Sequence, residues 1–576
     1  MPTTIVSPGV VINTNNQSYI APAAPSPADA AIIGPTVKGQ VNIPTLVTSY
    51  SEYQNKFGDV FTSSSQTYTF LTSISAYRYF EQGGTSLLVT RVASGSSTLS
   101  NWTPATSSVS GSFTIETLSE GVIMNSTGSE STNNLMANGT ADNIRWEITQ
   151  PNTTQGTFNL LVRKGNDTSN YPSVLETWYN LSLDPFSPNY VERVIGNQVE
   201  NLKPDLDGKY YLDLTGSYPN NSKYIRVGSV EKLTPNYLDT NGNVSNPSYT
   251  SYIPTAVSGG FGGAIGSNIP ASQAANYYEN INGSNTQGLI VSSGTVADYT
   301  NAIDLLSNKD AYQFKYIVAP GLNKANHSAT VSKLITMVQE RGDTMAVVDV
   351  VPYGQPLSTA ITNATSLDTS FAATYWPWAQ TVDNQTGQPV WVPASTLIPA
   401  AYSFSDNASY PWFAPAGTTR GRMTYVARVE RNLTQGNRDD LYVKNINPLA
   451  TFPQQGVVIF GQKTLQKQPN ALDRVNVRRL LVELINNVGA IANTLVFEQN
   501  TQATRNDFLS QVNPYLSSVQ QREGLYEFKV VMDDSNNTSQ TIDNNQLIGQ
   551  IWIKPTRTAE FITLDFNILP TSATIG

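Results

Sequence analysis

The sequence predicts a multidomain chain of the α+β and α/β classes, with a strand-like arm at each end and a β-rich insertion. The chain has 576 residues, more than the roughly 250 to 300 at which a single hydrophobic core stops growing. Helical and strand patterns alternate on either side of residues 98–285, whereas the helical signal nearly vanishes inside that range. Both ends of the chain carry runs of β-branched and apolar residues.

The first element is an N-terminal arm, residues 1–28. The run TTIVSPGVVIN is rich in β-branched residues, and the Pro-, Ala- and Asn-rich stretch after it has neither a helical nor a strand period. We therefore expect a detached strand on a linker. Its candidate strand residues are Ile5, Val6, Val10, Val11 and Ile12.

A discontinuous α/β middle domain is predicted over residues 29–97 and 286–355. Its first part reads as the strand AAIIGPTVKG, a helix through Phe70, Ile74 and Tyr77, and the strand SLLVTRV. Its second part reads as the strand GLIVSS, a helix at 297–306, the strand KYIVAPG, a helix at 329–341 that Gly342 caps, and the strand TMAVVDVVP. If these strands share one sheet, the insertion interrupts a single domain.

Residues 98–285 are predicted to form the inserted β-rich outer domain or domains. Short runs such as FTIETL, NIRWEIT, FNLLVRKG and KYYLDL are separated there by clusters of Gly, Asn, Pro and Ser. We expect this region to face outward.

The C-terminal domain, residues 356–576, has the clearest patterns. One helical face is lined by apolar residues at steps of four, three, four and three, with Arg478 and Arg479 turned away from it: Val477, Leu481, Leu484, Val488 and Ile491. After it we expect the strand LVFEQN, a second helix through Phe508 with Pro514 as a potential kink, and the strands LYEFKVVMD and QLIGQIWIKP.

The chain ends in a second strand arm, residues 560–569, where apolar and polar residues alternate at a period of two. Its candidate strand residues are Phe561, Ile562, Leu564, Phe566 and Ile568. A terminal strand that leaves its own core presents unpaired N–H and C=O groups, which can complete a sheet in another copy of the chain. The alternative is that both terminal strands join a sheet of their own domain.

Composition excludes several classes of function. The net charge of −9 gives no bulk attraction to nucleic acid or to an anionic membrane. Because the chain has no Cys and one His, it has no disulfides, thiolate nucleophiles or Cys/His zinc sites. Charged residues make up 13%, about half of the average for soluble domains, and such a surface suits packing against further copies. We expect neither a signal peptide nor a membrane span.

No motif indicates a catalytic, cofactor or metal site. The segment Gly456–Thr464 differs from a phosphate-binding loop because Gln462 separates the glycine from the lysine. Asp205–Gly208 and Asp239–Gly242 lack the later ligands of a calcium loop and are typical of turns. His327 reads as a solvated loop residue beside a helix start.

Several segments resemble the tail sheath proteins of contractile-tailed bacteriophages, particularly the T-even-like and cyanophage type. Near the N-terminus they are SPGV and AAIIGPTVKGQVNIPTLVTSYSEYQNKFG, and in the middle FNLLVRKGNDTSNYPSVLETWYNLSLDPFSPNYVERVIG. In the C-terminal third they are WFAPAG, INPLATFPQQGVVIFGQKTL, DRVNVRRLLVELINN, LVFEQNT and AEFITLDF.

The resemblance implies a structural virion protein that is not an enzyme and needs no cofactor. Sheath subunits of this family form six-membered rings stacked helically around an inner tail tube, and contraction from a metastable extended state drives the tube through the host envelope. The implied partners are further copies of the chain, the tail tube protein, and baseplate and tail terminator proteins, with no nucleic acid and no membrane insertion. The implied location is the tail sheath, after assembly in the host cytoplasm.

The resemblance also implies an inner domain that lies against the tube and is built mainly from the C-terminal third, with the inserted domains outside. Cationic residues are the candidates for tube contact: Lys463, Lys467, Arg474, Arg478 and Arg479. A solvated face, or salt bridges to Asp473 and Glu483, explains the same residues equally well.

Three alternative functions stay open from the sequence. One is the sheath of a phage-derived injection machine such as a tailocin. The second is a tail spike or fibre that binds or cleaves surface glycans, although such proteins usually trimerise through long repeats that this sequence lacks. The third, a passive surface-layer protein, is disfavoured by the expected absence of a secretion signal.

Overall fold

A six-stranded sheet forms the centre of the fold, and its strands come from both sides of residues 98–285. The computed structural model describes residues 28–561 except 64–65, 94–98, 103–110, 128–129, 132–134, 267–280, 283, 285 and 288. Across the sheet, the strands are Ala372–Ala373, Met345–Asp349, Phe314–Asn323, Ala28–Gly34, Leu87–Arg91 and Thr45–Val47. Neighbours run parallel except for the last pair, which is antiparallel.

Two hydrophobic clusters cover the two faces of this central sheet. Ile32 and Ile33 are adjacent and fully buried, yet they belong to different clusters because side chains alternate along a strand. One cluster packs the helices Tyr50–Phe57, Leu71–Glu81 and Ala394–Ala408, and the other packs Asp298–Leu306, Ser328–Arg341 and Leu357–Thr365. Burial on both faces explains why these strands read as continuous apolar runs.

Asp349 ties the central sheet to the helix Ala394–Ala408. Its carboxylate lies at the end of the strand Met345–Asp349 and accepts hydrogen bonds from the backbone N–H of Ser395, at 3.1 Å, and from the Ser395 hydroxyl. The side chain has no cationic partner within 4.0 Å in the described structure. Burial raises the pKa of Asp349 to about 7, against the hydrogen bonds from Ser395, which lower it.

The insertion is antiparallel and has a hydrophobic core of its own, which includes Phe113, Trp146 and Leu181. Its four-stranded sheet runs Val174–Ser182, Thr157–Lys164, Ile144–Asn152 and Val257–Gly260, and its three-stranded sheet runs Ile225–Val230, Phe113–Glu120 and Leu99–Trp102. The hairpin Val199–Pro204 with Tyr210–Thr215 and the helix Val191–Ile195 complete it. Arg91 joins the insertion to the central sheet, since its buried guanidinium donates to the carbonyl oxygen of Glu120 at 2.8 Å.

The remaining short elements lie around the central sheet. The strands Tyr375–Trp376, Asn447–Phe452 and Gly456–Ile459 form one three-stranded sheet, and Pro389–Val392, Ala379–Val382 and Val426–Val429 form another. Two hairpins pair Val60–Ser63 with Gln66–Thr69 and Val291–Ser292 with Thr295–Val296. The helices Gly417–Arg420 and Gln435–Val443 belong to the same region.

The last part of the described chain is a helical unit with a hairpin. Its helices are Val475–Asn493, Gln502–Gln521 and Ser539–Asp543, and its strands are Leu525–Val531 and Gln550–Pro555. Leu480, Phe508, Val512 and Leu516 are buried in its separate hydrophobic cluster. Pro514 lies inside the second helix, which continues past it to Gln521.

Two predicted strands differ from the structure. LVFEQN is a turn, because the N–H groups of Leu495 and Val496 bond back to carbonyls of the preceding helix and Phe497 has a φ of 72°, which no strand accommodates. GLIVSS contributes only Val291–Ser292, which pairs with Thr295–Val296 outside the central sheet.

Arg478 and Arg479, which the sequence predicts to turn away from the apolar face of their helix, are both buried. The Arg479 guanidinium lies 4.5 Å from the Tyr402 ring centroid and pairs with the Asp406 carboxylate. The Arg478 guanidinium lies 3.9 Å from the Phe371 ring centroid. Protein surrounds the first turns of this helix, so charged positions there are covered by aromatic rings instead of water.

His327 is also buried, with 1% of its surface exposed, and its Nδ1 accepts the backbone N–H of Asn323 at 3.1 Å. The prediction of a solvated histidine is therefore wrong. His327 precedes the helix Ser328–Arg341, and its side chain turns inward against the end of the strand Phe314–Asn323. Burial lowers its pKa, so the ring is held neutral.

Replacing Arg479 by Ala is expected to lower the free energy of unfolding by about 3 kcal/mol, because it removes the packing of a buried guanidinium and leaves the half-buried Asp406 carboxylate without its partner. Urea unfolding of the full chain measures this. The control is Lys467→Ala, an exposed cation for which we expect a change within about 0.5 kcal/mol. Equal stabilities for the two variants would contradict the structural role of Arg479.

The raised pKa of Asp349 predicts that the free energy of unfolding depends on pH. Its pKa in the folded chain is raised above the ordinary 3.8 to about 7. Its contribution to the free energy of unfolding is therefore fully present below its pKa in the unfolded chain, and it is lost as the pH rises through its pKa in the folded chain. Between about pH 4 and pH 7.5, the wild type should lose up to about 4 kcal/mol more than Asp349→Asn. Urea unfolding at the two pH values tests this, and parallel pH profiles of the two proteins would refute it.

Candidate inter-subunit interface

The C-terminal hairpin, Leu525–Val531 with Gln550–Pro555, forms a sheet of only two strands. Its strands pair antiparallel from Leu525 opposite Pro555 to Val531 opposite Gln550. Within the described part of the chain neither strand has a second neighbouring strand, so each presents an open edge. A two-stranded sheet is marginal in water, and such edges accept further strands.

The two faces of this hairpin differ. Phe528 lies opposite Ile553, and both are partly buried against the cluster formed by the two long helices. Lys529 lies opposite Trp552 on the other face, with the ammonium 5.9 Å from the Trp552 ring centroid. Tyr526 is 62% and Trp552 51% exposed. One face thus anchors the hairpin, and the other leaves aromatic surface uncovered.

The hairpin is held firmly at its base. The indole N–H of Trp412 donates to the carbonyl oxygen of Arg522 at 2.8 Å, just before the first strand. At Gly524 a Cβ atom would lie 2.6 Å from Cγ1 of Val519, so only glycine fits there without movement. The backbone N–H of Thr556, directly after the second strand, donates to the carbonyl oxygen of Gly524 at 3.2 Å.

A polar cluster, which we call the Glu560 clamp, fixes the last described residues of the chain. The Glu560 carboxylate accepts two hydrogen bonds from Arg474, at 2.7 and 3.1 Å, one from the Gln462 amide at 3.0 Å and one from the Tyr442 hydroxyl at 2.5 Å. Burial and the Glu560 carboxylate raise the pKa of Tyr442, so the phenol stays protonated and donates. Bidentate pairing by an arginine is a strong and directional contact.

Of the predicted strand-exchange residues, Phe561 is described by the structure, and its side chain is 81% exposed next to the clamp. The others lie outside the described residues: Ile5, Val6, Val10, Val11, Ile12, Ile562, Leu564, Phe566 and Ile568. The described chain begins at Ala28 in the central sheet, and Glu560 near its other end is bound by Arg474; the two strand arms stay a prediction.

The five cationic candidates do not form one exposed surface. Arg478 and Arg479 are buried, and Arg474 is held by Asp473 and Glu560. Lys463 is half-buried and donates to the carbonyl oxygen of Tyr442 at 2.8 Å, whereas Lys467 is exposed. The expected pairing with Asp473 is present, but Glu483 pairs with Lys315.

The motifs that resemble calcium and phosphate sites are ordinary turns and strands. The Asp205 carboxylate accepts the backbone N–H groups of Asp207 and Lys209, which is the bonding of a turn. Gly456–Ile459, the near match to a phosphate-binding loop, is a sheet strand. Over the described residues, no group of three acidic or histidine side chains is placed to hold a metal ion. No helix in that part of the chain combines the length and apolar character needed to cross a bilayer.

Sequence reasoning missed the Glu560 clamp. Glu560 belongs to the predicted strand arm, and its partners Arg474, Gln462 and Tyr442 lie 86, 98 and 118 residues away along the chain. No local pattern announces such a contact. The open edges of the hairpin can be predicted from the sequence, because the sequence predicts both strands and no third strand between them.

Comparisons with known proteins match two parts of the chain to domains of one family. Residues 292–465 match the phage tail sheath protein central domain, and residues 467–569 match the phage tail sheath C-terminal domain. The resemblance seen in the sequence is thereby confirmed for the part of the chain that holds the hairpin and the clamp.

Individual tail sheath proteins also match part of the chain. The tail sheath protein of Vibrio phage KVP40 is 36% identical over 37% of this chain and 32% of its own length. That of Enterobacteria phage T4 is 33% identical over 40% of this chain and 35% of its own length. The chain thus spans about a third of the length of these two relatives. The sheath tail protein of Listeria innocua shares the fold, with a TM-score of 0.52 over 92% of this chain and 96% of that one at 10% identity.

Removing the Glu560 clamp should free the segment that follows the hairpin. In Glu560→Ala we expect amide hydrogen exchange at residues 556–561 to accelerate about tenfold, since several hydrogen bonds to a carboxylate are lost. Exchange in the helix Gln502–Gln521 should not change. Glu340→Ala, which removes an exposed carboxylate elsewhere, is the control. Unchanged exchange at 556–561 would show that the clamp does not hold the arm.

Proposed function

We propose that this chain, which carries the central and C-terminal domains of the phage tail sheath family, is the structural subunit of a contractile tail sheath. In this role it polymerises as stacked six-membered rings around a tail tube and shortens to drive the tube through the host envelope. The C-terminal hairpin carries the proposal, because it lies in the matched C-terminal domain and offers two open strand edges to other chains.

The terminal arms supply the strands for those edges. A strand added to the hairpin forms several backbone hydrogen bonds, each worth about 0.5–1.5 kcal/mol net, and covers apolar side chains. Tyr526 and Trp552 provide such surface on the hairpin. The arm of one copy then completes the sheet of the next, and both arms stay bound while the bodies of the subunits rotate.

The geometry of such links suits a contractile tube. A contact between different surfaces of identical chains does not close on itself, so it builds a helix of subunits. The linker after Ile12 contains Pro and Ala and has no core-forming pattern, so it can act as a hinge without breaking a packed interior. The free energy of contraction is then stored in an extended assembly that is kinetically trapped, with no nucleotide hydrolysis and no enzymatic step.

The remaining parts of the chain take positions that follow from this role. The C-terminal unit faces the tube, with Lys467 as the candidate cation whose side chain is exposed. The inserted antiparallel domain, which has its own core, faces outward. Besides the tube protein, the partners are the baseplate and tail terminator proteins, and the location is the virion tail after assembly in the host cytoplasm.

Electron microscopy of the purified full chain tests the function, with hollow striated tubes as the expected result. Deleting residues 562–576 should abolish the tubes, because the hairpin edge of each neighbour loses its added strand. Urea unfolding of the deleted chain should stay within about 0.5 kcal/mol of the full chain, as for a surface change. The control is Leu206→Ser, on an exposed turn of the insertion, which should form tubes. Tubes that persist after the deletion would exclude the strand-exchange link.

A further inference from the structure

A hydrophobic protrusion follows the long helix Val475–Asn493. We call it the Phe497 knob and define it as Val496, Phe497 and Glu498. The Val496 side chain is 58% and the Phe497 side chain 98% exposed. Phe497 also has a φ of 72°, a left-handed conformation that is uncommon for a bulky residue. Packing among the described residues does not account for a phenyl ring held in this position.

The turn that carries the knob is well fixed. The backbone N–H of Glu498 donates to the carbonyl oxygen of Leu495 at 3.1 Å. Just beyond the knob, the Thr504 hydroxyl donates to the carbonyl oxygen of Gln499 at 2.6 Å, and the Asn500 amide donates to that of Gln546 at 2.8 Å. The ring is therefore presented on an ordered support, so little conformational entropy is lost when it docks.

A pocket of about 550 Å³, the arginine pocket, lies elsewhere on the same chain. Its apolar walls include Ala416, Pro448 and Phe460, and Arg420 and Arg438 line it as well. Both guanidinium groups rest on aromatic rings, Arg438 at 5.6 Å from the Phe460 centroid and Arg420 at 4.9 Å from that of Phe413. Among the described residues, no carboxylate lies within 4.0 Å of either arginine.

The knob and the pocket are complementary but lie too far apart to meet within one chain. Gln462 lines the pocket, and its carbonyl oxygen accepts the N–H of Val475 at 2.8 Å, which places the pocket at the start of the long helix. The knob follows the end of that helix. A helix of 19 residues is about 28 Å long, so the knob can fill this pocket only in another copy.

We propose that the Phe497 knob of one copy docks in the arginine pocket of a second copy. Phe497 enters between the apolar walls, and the Glu498 carboxylate, which has no cation within 4.0 Å in the described structure, meets Arg420 and Arg438. Asp439 also lines the pocket but lies more than 4.0 Å from both guanidinium groups, so neither arginine is paired with a carboxylate of its own chain among the described residues. The contact joins different surfaces and therefore repeats head to tail.

This inference rests on the proposed sheath function, since it names a second contact of the same polymer. The pocket is also lined by Thr558, Ala559, Glu560 and Phe561, so it adjoins the last described residues, which precede the proposed C-terminal arm. Docking of the knob and addition of a strand would thus occur at neighbouring positions on the subunit surface.

Disulfide cross-linking tests the contact cleanly, because the chain contains no native Cys. Val496→Cys, which keeps Phe497 and Glu498, is combined in one chain with either Ala416→Cys or Gln435→Cys at the pocket. After oxidation of assembled tubes, at least one combination should give a ladder of covalent multimers, whereas each single-Cys chain should stay monomeric. Val496→Cys with Leu206→Cys is the matched control and should give no ladder.

A second measurement uses charge. Glu498→Arg should reduce the tube yield at least about tenfold, a change in free energy of about 1.4 kcal/mol or more, and adding Arg438→Glu should restore it. Tubes without either cross-link would overturn the docking and leave the sheath function intact. Dimers of the single variant Val496→Cys would also overturn it, because they indicate knob against knob. If the wild type forms no tubes, the function and this contact both fail.

Discussion

Backbone hydrogen bonding at the C-terminal hairpin is the constraint on which the rest of the architecture depends. Two strands satisfy each other on one side only, so the N–H and C=O groups on their outer edges face no strand in the described chain. The molecule keeps this incomplete sheet rigid with a buried helical cluster, a glycine that tolerates no side chain and a carboxylate clamp beside it. An edge held in place and left open is suited to capture a strand from a neighbour.

Buried arginines connect the parts of this weakly charged chain. Arg91 links the insertion to the central sheet through carbonyl oxygens, and Arg479 links the long C-terminal helix to Asp406 of the helix Ala394–Ala408. Such contacts combine charge, planar hydrogen bonding and ring packing. Charged residues make up only 13% of the chain, so a surface from which some arginines are withdrawn keeps few charges to repel neighbouring copies.

The sequence predicted most elements that have a strong period. The helices near 71–81, 328–341 and 475–493 and the strands that flank them were visible because their apolar residues repeat at regular spacing. The sequence does not predict the turn at Phe497. The apolar run there favours a strand, but the left-handed backbone conformation of Phe497 is incompatible with a strand. The sequence does not predict the burial of Arg478 and Arg479, because their partners are remote in sequence and helical position alone does not predict what covers a side chain. For His327 the bonded partner, Asn323, is only four residues away, but a polar residue beside a helix start favours a solvated loop.

The position of Ala28–Gly34 has a mechanical consequence. This strand directly follows the N-terminal arm and lies between two parallel neighbours, Phe314–Asn323 and Leu87–Arg91. Tension applied to the chain before Ala28 would act along the length of this strand, so many hydrogen bonds on both sides would have to break together. A strand at the edge of the sheet could instead be peeled away one bond at a time. Chain that precedes Ala28 is therefore joined to an interior strand of the sheet, which resists extraction better than an edge strand would.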